Sequence, residues 1–189
     1  MQQLISQIQQ CHHCQAHLPL PAKPIVQLAP EAKILIIGQA PGIKAHQAGI
    51  AFDDASGERL RDWLGVSRSQ FYDPKLFAIM PMGFCYPGTG KSGDLAPRKE
   101  CAPLWHPAVL SHLSQVQLTL LIGQYAQRQY LTPKPKTLTE TVKAWQQYQE
   151  QGLPLPHPSP RNNIWLKKNP WFEQELLPSL KSQVADILN

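Results

Sequence analysis

Four short apolar runs along the chain predict buried β-strands. They are residues 33–38, residues 76–80, residues 117–122 and the segment around Leu153 and Leu155. A strand exposed on one face alternates apolar and polar residues, whereas a continuous apolar run is typical of a strand covered on both faces of a parallel sheet. The runs therefore indicate a sheet with a helical layer on each side.

Segments with helical apolar spacing separate these runs. They are residues 1–11, the segment around Leu60, Trp63 and Leu64, and residues 98–113, 123–131, 137–149 and 171–188. Pro103 and Pro107 are expected to divide the helix over 98–113, because a proline removes a helical hydrogen bond. Thr137 followed by Glu140 forms an N-terminal capping signal. The alternation predicts an α/β fold, three-layer α/β/α with a central, mostly parallel four-stranded sheet, in a single domain over residues 1–189.

Two loops of unusual composition follow the first and the last predicted strand. Residues 38–42 read GQAPG, and residues 157–162 read HPSPRN. The carboxyl ends of parallel strands lie at one edge of a sheet, where ligands of open α/β sheets bind. We therefore expect both loops at one rim, on either side of a binding site.

Four cysteines form a close pair and a wide pair. Cys11 and Cys14 are spaced C-x2-C, and Cys85 and Cys101 follow 70 residues later with the spacing C-x15-C. Four thiolates that converge on one point suit a tetrahedral metal centre, either an iron–sulfur cluster or zinc. The alternative is four unrelated cysteines, some of them buried as small apolar side chains.

Composition narrows the class of protein further. The 189 residues are 42% hydrophobic, contain no apolar run of membrane-spanning length, and do not begin with a secretory signal. We therefore expect a cytoplasmic protein without a membrane partner, in a reducing compartment where paired cysteines more often bind metal than form disulfides. The net charge of +5 fits a polyanionic partner such as nucleic acid, although many ordinary proteins are as basic.

These motifs together resemble the uracil-DNA glycosylase superfamily. GQAPG is similar to the GEAPG loop of the iron–sulfur bacterial and archaeal branch, and HPSPRN is similar to the motif-two loop of the single-strand-selective monofunctional branch. The cysteine spacing also resembles the iron–sulfur branch, and the likeness runs from Cys11 to about Pro178. It implies a [4Fe–4S] cluster held by the four cysteines, with zinc as the alternative. It also implies a DNA glycosylase of base-excision repair.

The resemblance assigns roles to residues of both loops. His157 would donate a hydrogen bond to the base as it leaves as an anion, an oxyanion-type stabilisation; otherwise it is a surface histidine in a proline-rich loop. Gln39 and Asp53 complete the expected catalytic set. The expected base pocket is formed by Gly38, Ala40, Pro41, Gly42 and Phe52. The expected DNA-binding wedge is formed by Pro158, Ser159, Pro160, Arg161 and Asn162.

Three positions depart from the family pattern. Gln39 stands where the iron–sulfur branch has Glu, and Ala40 stands where the best-known branch has a water-positioning Asp. Pro81 stands where an Asn normally reads uracil, four residues before the third cysteine. Asp53 or Asp54 could supply the missing carboxylate. The base could then be uracil read by other contacts, or another damaged base such as hypoxanthine or an oxidised pyrimidine.

The most favoured function is therefore a monofunctional DNA glycosylase that acts as a monomer on DNA containing a damaged base. No lysine stands out as an imine-forming nucleophile, so strand cleavage is not expected. The main alternative is a non-catalytic DNA-binding or damage-sensing module with a structural cluster. A weaker alternative is a zinc protein with an unrelated small-molecule ligand.

Overall fold

A parallel four-stranded sheet forms the centre of the molecule. The computed structural model of the chain describes residues 1–91, 93–134 and 136–189. Its strands, in chain order, are β1 (Ile34–Ile37), β2 (Phe77–Ile79), β3 (Thr89–Gly90), β4 (Gly93–Asp94), β5 (Leu118–Ile122) and β6 (Leu153–Leu155). The central sheet has the order β2-β1-β5-β6 with every neighbouring pair parallel, while β3 and β4 pair separately and antiparallel. All four strands that the apolar runs predict are confirmed.

Helices cover both faces of this sheet. The α-helices are α1 (Gln2–Gln9), α2 (Ile43–Ala48), α3 (Ala55–Leu64), α4 (Arg68–Phe71), α5 (Cys101–Ser111), α6 (Gln124–Tyr130), α7 (Leu138–Lys143), α8 (Asn163–Lys168) and α9 (Leu177–Leu188). In β1, Ile34 and Ile36 pack into a core with residues of α3 and α9, while Leu35 and Ile37 pack into a second core with residues of α1 and α5. Successive side chains of a strand point to opposite faces, so a run that is apolar throughout is buried on both sides. The predicted three-layer α/β/α fold is confirmed.

The prediction that prolines divide the helix after residue 98 is wrong. Helix α5 is continuous, with Pro107 inside it. Pro103 lies in the first turn, where a backbone N–H has no partner within the helix. Both proline side chains are exposed, so water can hydrate the carbonyl that Pro107 leaves without a helical donor.

Two other predicted helices are shorter or interrupted. The Thr137 hydroxyl accepts the Glu140 N–H at 3.2 Å, so the capping signal is confirmed, but α7 ends at Lys143 and a 3₁₀ turn follows over Trp145–Tyr148. The C-terminal segment contains a π-helical turn over Phe172–Leu176 before α9. That turn lies next to Pro178, whose missing N–H removes a regular helical hydrogen bond.

The β3–β4 pair lies between Cys85 and Cys101 and carries no apolar run that would predict it. Its strands are two residues each, too short for a period-2 pattern to be recognised. Over the described ranges, no helix has the length and apolar content that a bilayer crossing requires.

Candidate active site and cysteine cluster

A cavity of about 340 Å³ opens at the edge of the sheet where the parallel strands end. The sequence-predicted site residues that line it are Gly38, Gln39, Ala40, Pro41, Gly42, Phe52, His157, Ser159, Pro160 and Arg161. The two loops after β1 and β6 therefore border one cavity, as the parallel topology leads one to expect. Its volume lies in the usual range for small-molecule sites.

The loop after β1 is held by backbone and amide hydrogen bonds. The Gly38 and Gln39 carbonyls accept the N–H groups of Met82 and Gly83 at 2.8 and 3.0 Å. The Gln39 side-chain amide donates to the Leu95 carbonyl at 2.9 Å. This loop, residues 38–42 and called loop one below, is thus fixed to the residues that precede and follow Cys85, and one of the two Gln39 amide hydrogens is engaged within the protein.

Local hydrogen bonding fixes the tautomer of His157. The Ser159 backbone N–H donates to His157 Nδ1 at 3.2 Å. Because a backbone N–H can only donate, Nδ1 is the acceptor, and the neutral ring carries its proton on Nε2. Burial lowers the pKa of His157, against the opposing effect of the nearby carboxylates of Asp54 and Asp94. The cavity therefore contains a neutral imidazole with one N–H donor.

Phe52 holds an unusual backbone conformation at the wall of the cavity. Its φ of 56° lies in the left-handed region, where a bulky residue is rare and strained. The Tyr72 hydroxyl donates to the Phe52 carbonyl at 3.0 Å, and Gly57 approaches that carbonyl so closely that a Cβ there would overlap it. The Phe52 ring lies beside Gly38 and meets Phe71 edge to face, with centroids 6.2 Å apart. The strain is thus held by specific contacts and orients the ring beside loop one.

The adjacent acidic residues Asp53 and Asp54 point in different directions. Asp53 forms an ion pair with Arg68 at 2.8 Å and does not line the cavity. Asp54 lines it and also caps α3, accepting the Gly57 N–H at 3.0 Å. The structure therefore brings Asp54 to the cavity, and leaves Asp53 outside it.

Two cavity-lining residues, Asp94 at the end of β4 and Lys44 on α2, were not anticipated from the sequence. Asp94 reaches the site because β3 and β4 extend from the segment between Cys85 and Cys101. Nothing in the local sequence around Asp94 signals this position, since it depends on how that segment folds over loop one.

Pro81 lines the cavity, and its carbonyl takes part in a buried network of hydrogen bonds. His106 Nε2 lies 3.0 Å from the Pro81 carbonyl, and His106 Nδ1 is hydrogen-bonded to the Tyr130 hydroxyl. A carbonyl can only accept, so Nε2 is the protonated nitrogen and Tyr130 donates to Nδ1. Burial lowers the pKa of His106 and raises that of Tyr130 to about 12. Pro81 is therefore held in place by His106, which Tyr130 orients in turn.

The remaining wedge residues shape the loop after β6. Pro158 is buried and does not line the cavity. The Asn162 amide donates to the His157 carbonyl at 2.7 Å. Arg59 of α3 reaches across to the Ser159 carbonyl at 3.1 Å and to Asn163 Oδ1 at 2.8 Å. Asn162 and Arg59 thus hold the loop in place, while Pro160 and Arg161 are exposed.

All four cysteines line a second, small cavity of about 20 Å³. They are free thiols contributed by the N-terminal segment and by the segment from Cys85 to Cys101. Burial raises the pKa of Cys85 to about 11 and that of Cys101 to about 12. Such thiols stay protonated at neutral pH unless a cation stabilises the thiolates.

The residues around this thiol cavity indicate which kind of metal-containing group could bind there. Among the described residues, no set of three or more Cys, His, Asp or Glu side chains is gathered closely enough to hold a single ion. Arg98 and Trp105 also line the cavity, and the buried Arg98 Nε and Trp105 Nε1 have no hydrogen-bond partner within the described part of the chain. Buried donors without acceptors are costly. By its chemistry, this set of four thiols beside two donors that are unpaired among the described residues suits a group that carries acceptor atoms.

A family comparison agrees with this architecture. A model described as the uracil DNA glycosylase superfamily matches residues 25–181. The match covers most of the chain, including both loops that border the cavity, Cys85 and Cys101, and it begins after the N-terminal cysteine pair. The chain belongs to the uracil-DNA glycosylase superfamily. Membership supports a hydrolytic DNA glycosylase role in base-excision repair, with DNA as the substrate.

Proposed function

We propose that this chain is a monofunctional DNA glycosylase that hydrolyses the bond between deoxyribose and a damaged base. The base must leave the helical stack before the bond can be reached, and it departs as an anion. The neutral His157 ring, with its proton on Nε2, would donate a hydrogen bond to the carbonyl oxygen on which that charge develops. The observation that carries this proposal is the Ser159 N–H bond to His157 Nδ1, which fixes the required tautomer.

The pocket for the extruded base is proposed to lie between loop one and Phe52. Phe52 is held beside Gly38 in a strained conformation, an arrangement that supports stacking on a flat ring. The space that side chains would fill at Gly38 and Gly42 is taken by the Phe52 ring and by Asp94 Oδ2, so the two glycines allow the ring and the carboxylate to lie close to the backbone of this loop.

The base itself is proposed to be uracil or another deaminated or oxidised base. Pro81 has no side-chain donor and no N–H, and its carbonyl is bonded to His106. Gln39 donates one of its two amide hydrogens to Leu95, which leaves the second N–H and Oε1 as possible contacts to a base. Both uracil and its analogues are therefore substrates to be tested.

The exposed part of the loop after β6 is proposed to contact the DNA strand. Pro160 and Arg161 are exposed beside the cavity, and a stiff proline with a guanidinium suits contact with the sugar–phosphate backbone. Arg59 and Asn162 support this role because they fix the loop from behind.

The four cysteines are proposed to hold a [4Fe–4S] cluster that joins the N-terminal segment to the segment from Cys85 to Cys101. The thiols line one cavity. Arg98 Nε and Trp105 Nε1, which have no hydrogen-bond partner within the described part of the chain, support a cluster over zinc, because a cluster carries sulfides that can accept hydrogen bonds. Anaerobically purified protein is expected to contain about four irons and to absorb at about 400 nm, and Cys11→Ser is expected to lose both. Metal analysis that finds only zinc would establish the alternative.

The glycosylase proposal is tested with oligonucleotides that carry uracil, hypoxanthine or an oxidised pyrimidine. Alkali after incubation converts abasic sites into strand breaks. Wild-type protein is expected to cleave at least one substrate, and His157→Ala is expected to lose about 10²-fold or more in single-turnover rate. His112→Ala, an exposed histidine at the end of α5, is the matched control and should cleave like the wild type.

The same assay tests whether the enzyme is monofunctional. Lys44 lines the cavity at an exposed position, and a lysine that formed an imine with the sugar would break the strand without alkali. We expect no such breaks and no borohydride-trapped adduct; either would contradict a monofunctional mechanism.

A second candidate is a non-catalytic module that binds damaged DNA. The substitution of the base-reading position by Pro81 favours it, because Pro81 removes a polar contact to the base. Binding without cleavage across the whole panel would establish this module. Action as a cytoplasmic monomer stays a prediction.

A further inference from the structure

The β3–β4 pair brings a carboxylate to the rim of the cavity. Asp94 ends β4, is exposed to solvent and lines the cavity together with His157. Its Oδ2 lies 3.2 Å from the position that a Cβ would occupy at Gly42. The absence of a side chain at Gly42 therefore leaves room for this carboxylate against loop one.

A chain of hydroxyl groups orients the Asp94 carboxylate. Asp94 and Thr89 are paired across the antiparallel ladder, and Thr89 Oγ1 donates to Asp94 Oδ1 at 3.2 Å. The Tyr86 hydroxyl lies 2.6 Å from Thr89 Oγ1. Since the Thr89 proton is directed at the carboxylate, Tyr86 donates to Thr89. One carboxylate oxygen is thus held while Oδ2 faces loop one.

Asp94 lies next to the place where the deoxyribose of the substrate would lie. Its neighbour Gly93 is in close contact with Arg161 of the loop proposed to bind the DNA strand. The deoxyribose joins the base to that strand, so it must lie between the base pocket and this loop. Asp94 lies against Gly42 and next to Gly93, so it borders the space proposed for the sugar, and its charge opposes the lowering of the His157 pKa.

Two other carboxylates lie in this region. Asp53 is paired with Arg68 outside the cavity. Asp54 lines the cavity and, like Asp94, has its Oδ1 engaged by a hydrogen bond, so the test below includes it as the rival candidate. Gln39 and Ala40 carry no acid where related enzymes have one.

We propose that Asp94 is a further catalytic residue, which takes a proton from the water that attacks the deoxyribose; this inference rests on the proposed glycosylase function. The water oxygen forms a bond to C1′ as the C1′–N bond breaks, and the electron pair of that bond goes to the base. The water proton passes to the Asp94 carboxylate and then to solvent, and the departing base takes a proton from solvent. The products are the free base and an abasic deoxyribose.

The test compares single-turnover rates on the base that the wild type cleaves best. Asp94→Asn keeps the shape of the side chain and the hydrogen bond from Thr89 but removes the carboxylate that would accept the proton of water. The cleavage rate is therefore expected to fall by about 10²-fold or more, with DNA affinity unchanged. Thr89→Val keeps the carboxylate and removes its donor, and a loss of up to about tenfold is expected. Asp186→Asn on α9 makes the same change of charge at an exposed site and should leave the rate unchanged.

The outcomes separate this inference from the proposed function. A wild-type protein that cleaves no base in the panel removes the glycosylase proposal itself. Active wild-type protein with Asp94→Asn and Thr89→Val both within about threefold of its rate overturns the role of Asp94 alone. The same holds if Asp94→Asn weakens DNA binding but leaves the rate of the bound complex intact, or if Asp54→Asn shows the loss instead.

Discussion

Gly57→Ala tests whether the strained Phe52 backbone depends on a close approach of α3. A Cβ at Gly57 would lie 2.6 Å from the Phe52 carbonyl carbon and 2.9 Å from its Cβ, whereas ordinary contacts begin near 3.4 Å. The Phe52 carbonyl oxygen would overlap this Cβ, so the Phe52 segment would have to move by more than about 0.8 Å, against the hydrogen bonds that Tyr72 and Arg61 donate to its carbonyl.

The sign of the change in the free energy of unfolding shows which of two opposing effects is larger, the overlap with Phe52 or the higher helix propensity of alanine. Alanine in a helix interior is by itself more stable than glycine by roughly 0.5–1 kcal/mol, whereas overpacking costs roughly 1–3 kcal/mol. The net effect is expected to be a loss of up to about 2 kcal/mol, which lowers Tm by up to about 8 °C for a chain of this size. Because the Phe52 ring is displaced, the cleavage rate is expected to fall by up to about 10²-fold.

Thermal unfolding and single-turnover cleavage measure the two effects separately. Asp62→Ala, an exposed position on the same helix, is the control and should change the free energy of unfolding by no more than about 0.5 kcal/mol. A Gly57→Ala protein with a Tm at or above that of the wild type and an unchanged rate would show that the Phe52 conformation does not depend on the close approach of Gly57.

Two further predictions concern the loop after β6 and the buried histidines. Arg59→Ala removes the contacts to Ser159 and Asn163 and is expected to slow cleavage by about tenfold with little change in Tm; a wild-type rate would show that the loop holds its shape alone. Burial lowers the folded-state pKa of His106 and His157 below the unfolded value near 6.5. As the pH falls below about 6.5 the unfolded state binds more protons, so the free energy of unfolding should decrease by up to about 1.4 kcal/mol per pH unit for each ring. Urea unfolding between about pH 7.5 and 5.5 measures this slope, and stability that is flat or rises toward acid would contradict it.

The central sheet could be predicted because its signal is local and strong. β1 is a continuous apolar run, and its burial on both faces follows from the same residues that define it. The meeting of the two loops at one cavity then follows from parallel topology, without any knowledge of side-chain contacts. Helix boundaries were less predictable, since the effect of Pro103 and Pro107 depends on which turn they occupy and which side faces water.

The details of the site depend on tertiary contacts that no local pattern encodes. Asp53 and Asp54 are adjacent and chemically identical, and only the capping of α3 turns one of them to the cavity. Asp94 is brought there by two strands of two residues each. Two contacts hold the strained backbone of Phe52. They are the close approach of Gly57, five residues along the chain, and the hydrogen bond from Tyr72 at the C-terminal end of α4. These features require the folded structure.

The most direct test of the account is to detect the free base. Wild-type protein is incubated with each damaged oligonucleotide, and mass spectrometry is used to follow the released base and the abasic strand. Equal amounts of both products are expected from at least one substrate, and both should be lost in the His157→Ala variant. Intact oligonucleotides throughout the panel, or equal release by the variant, would contradict it.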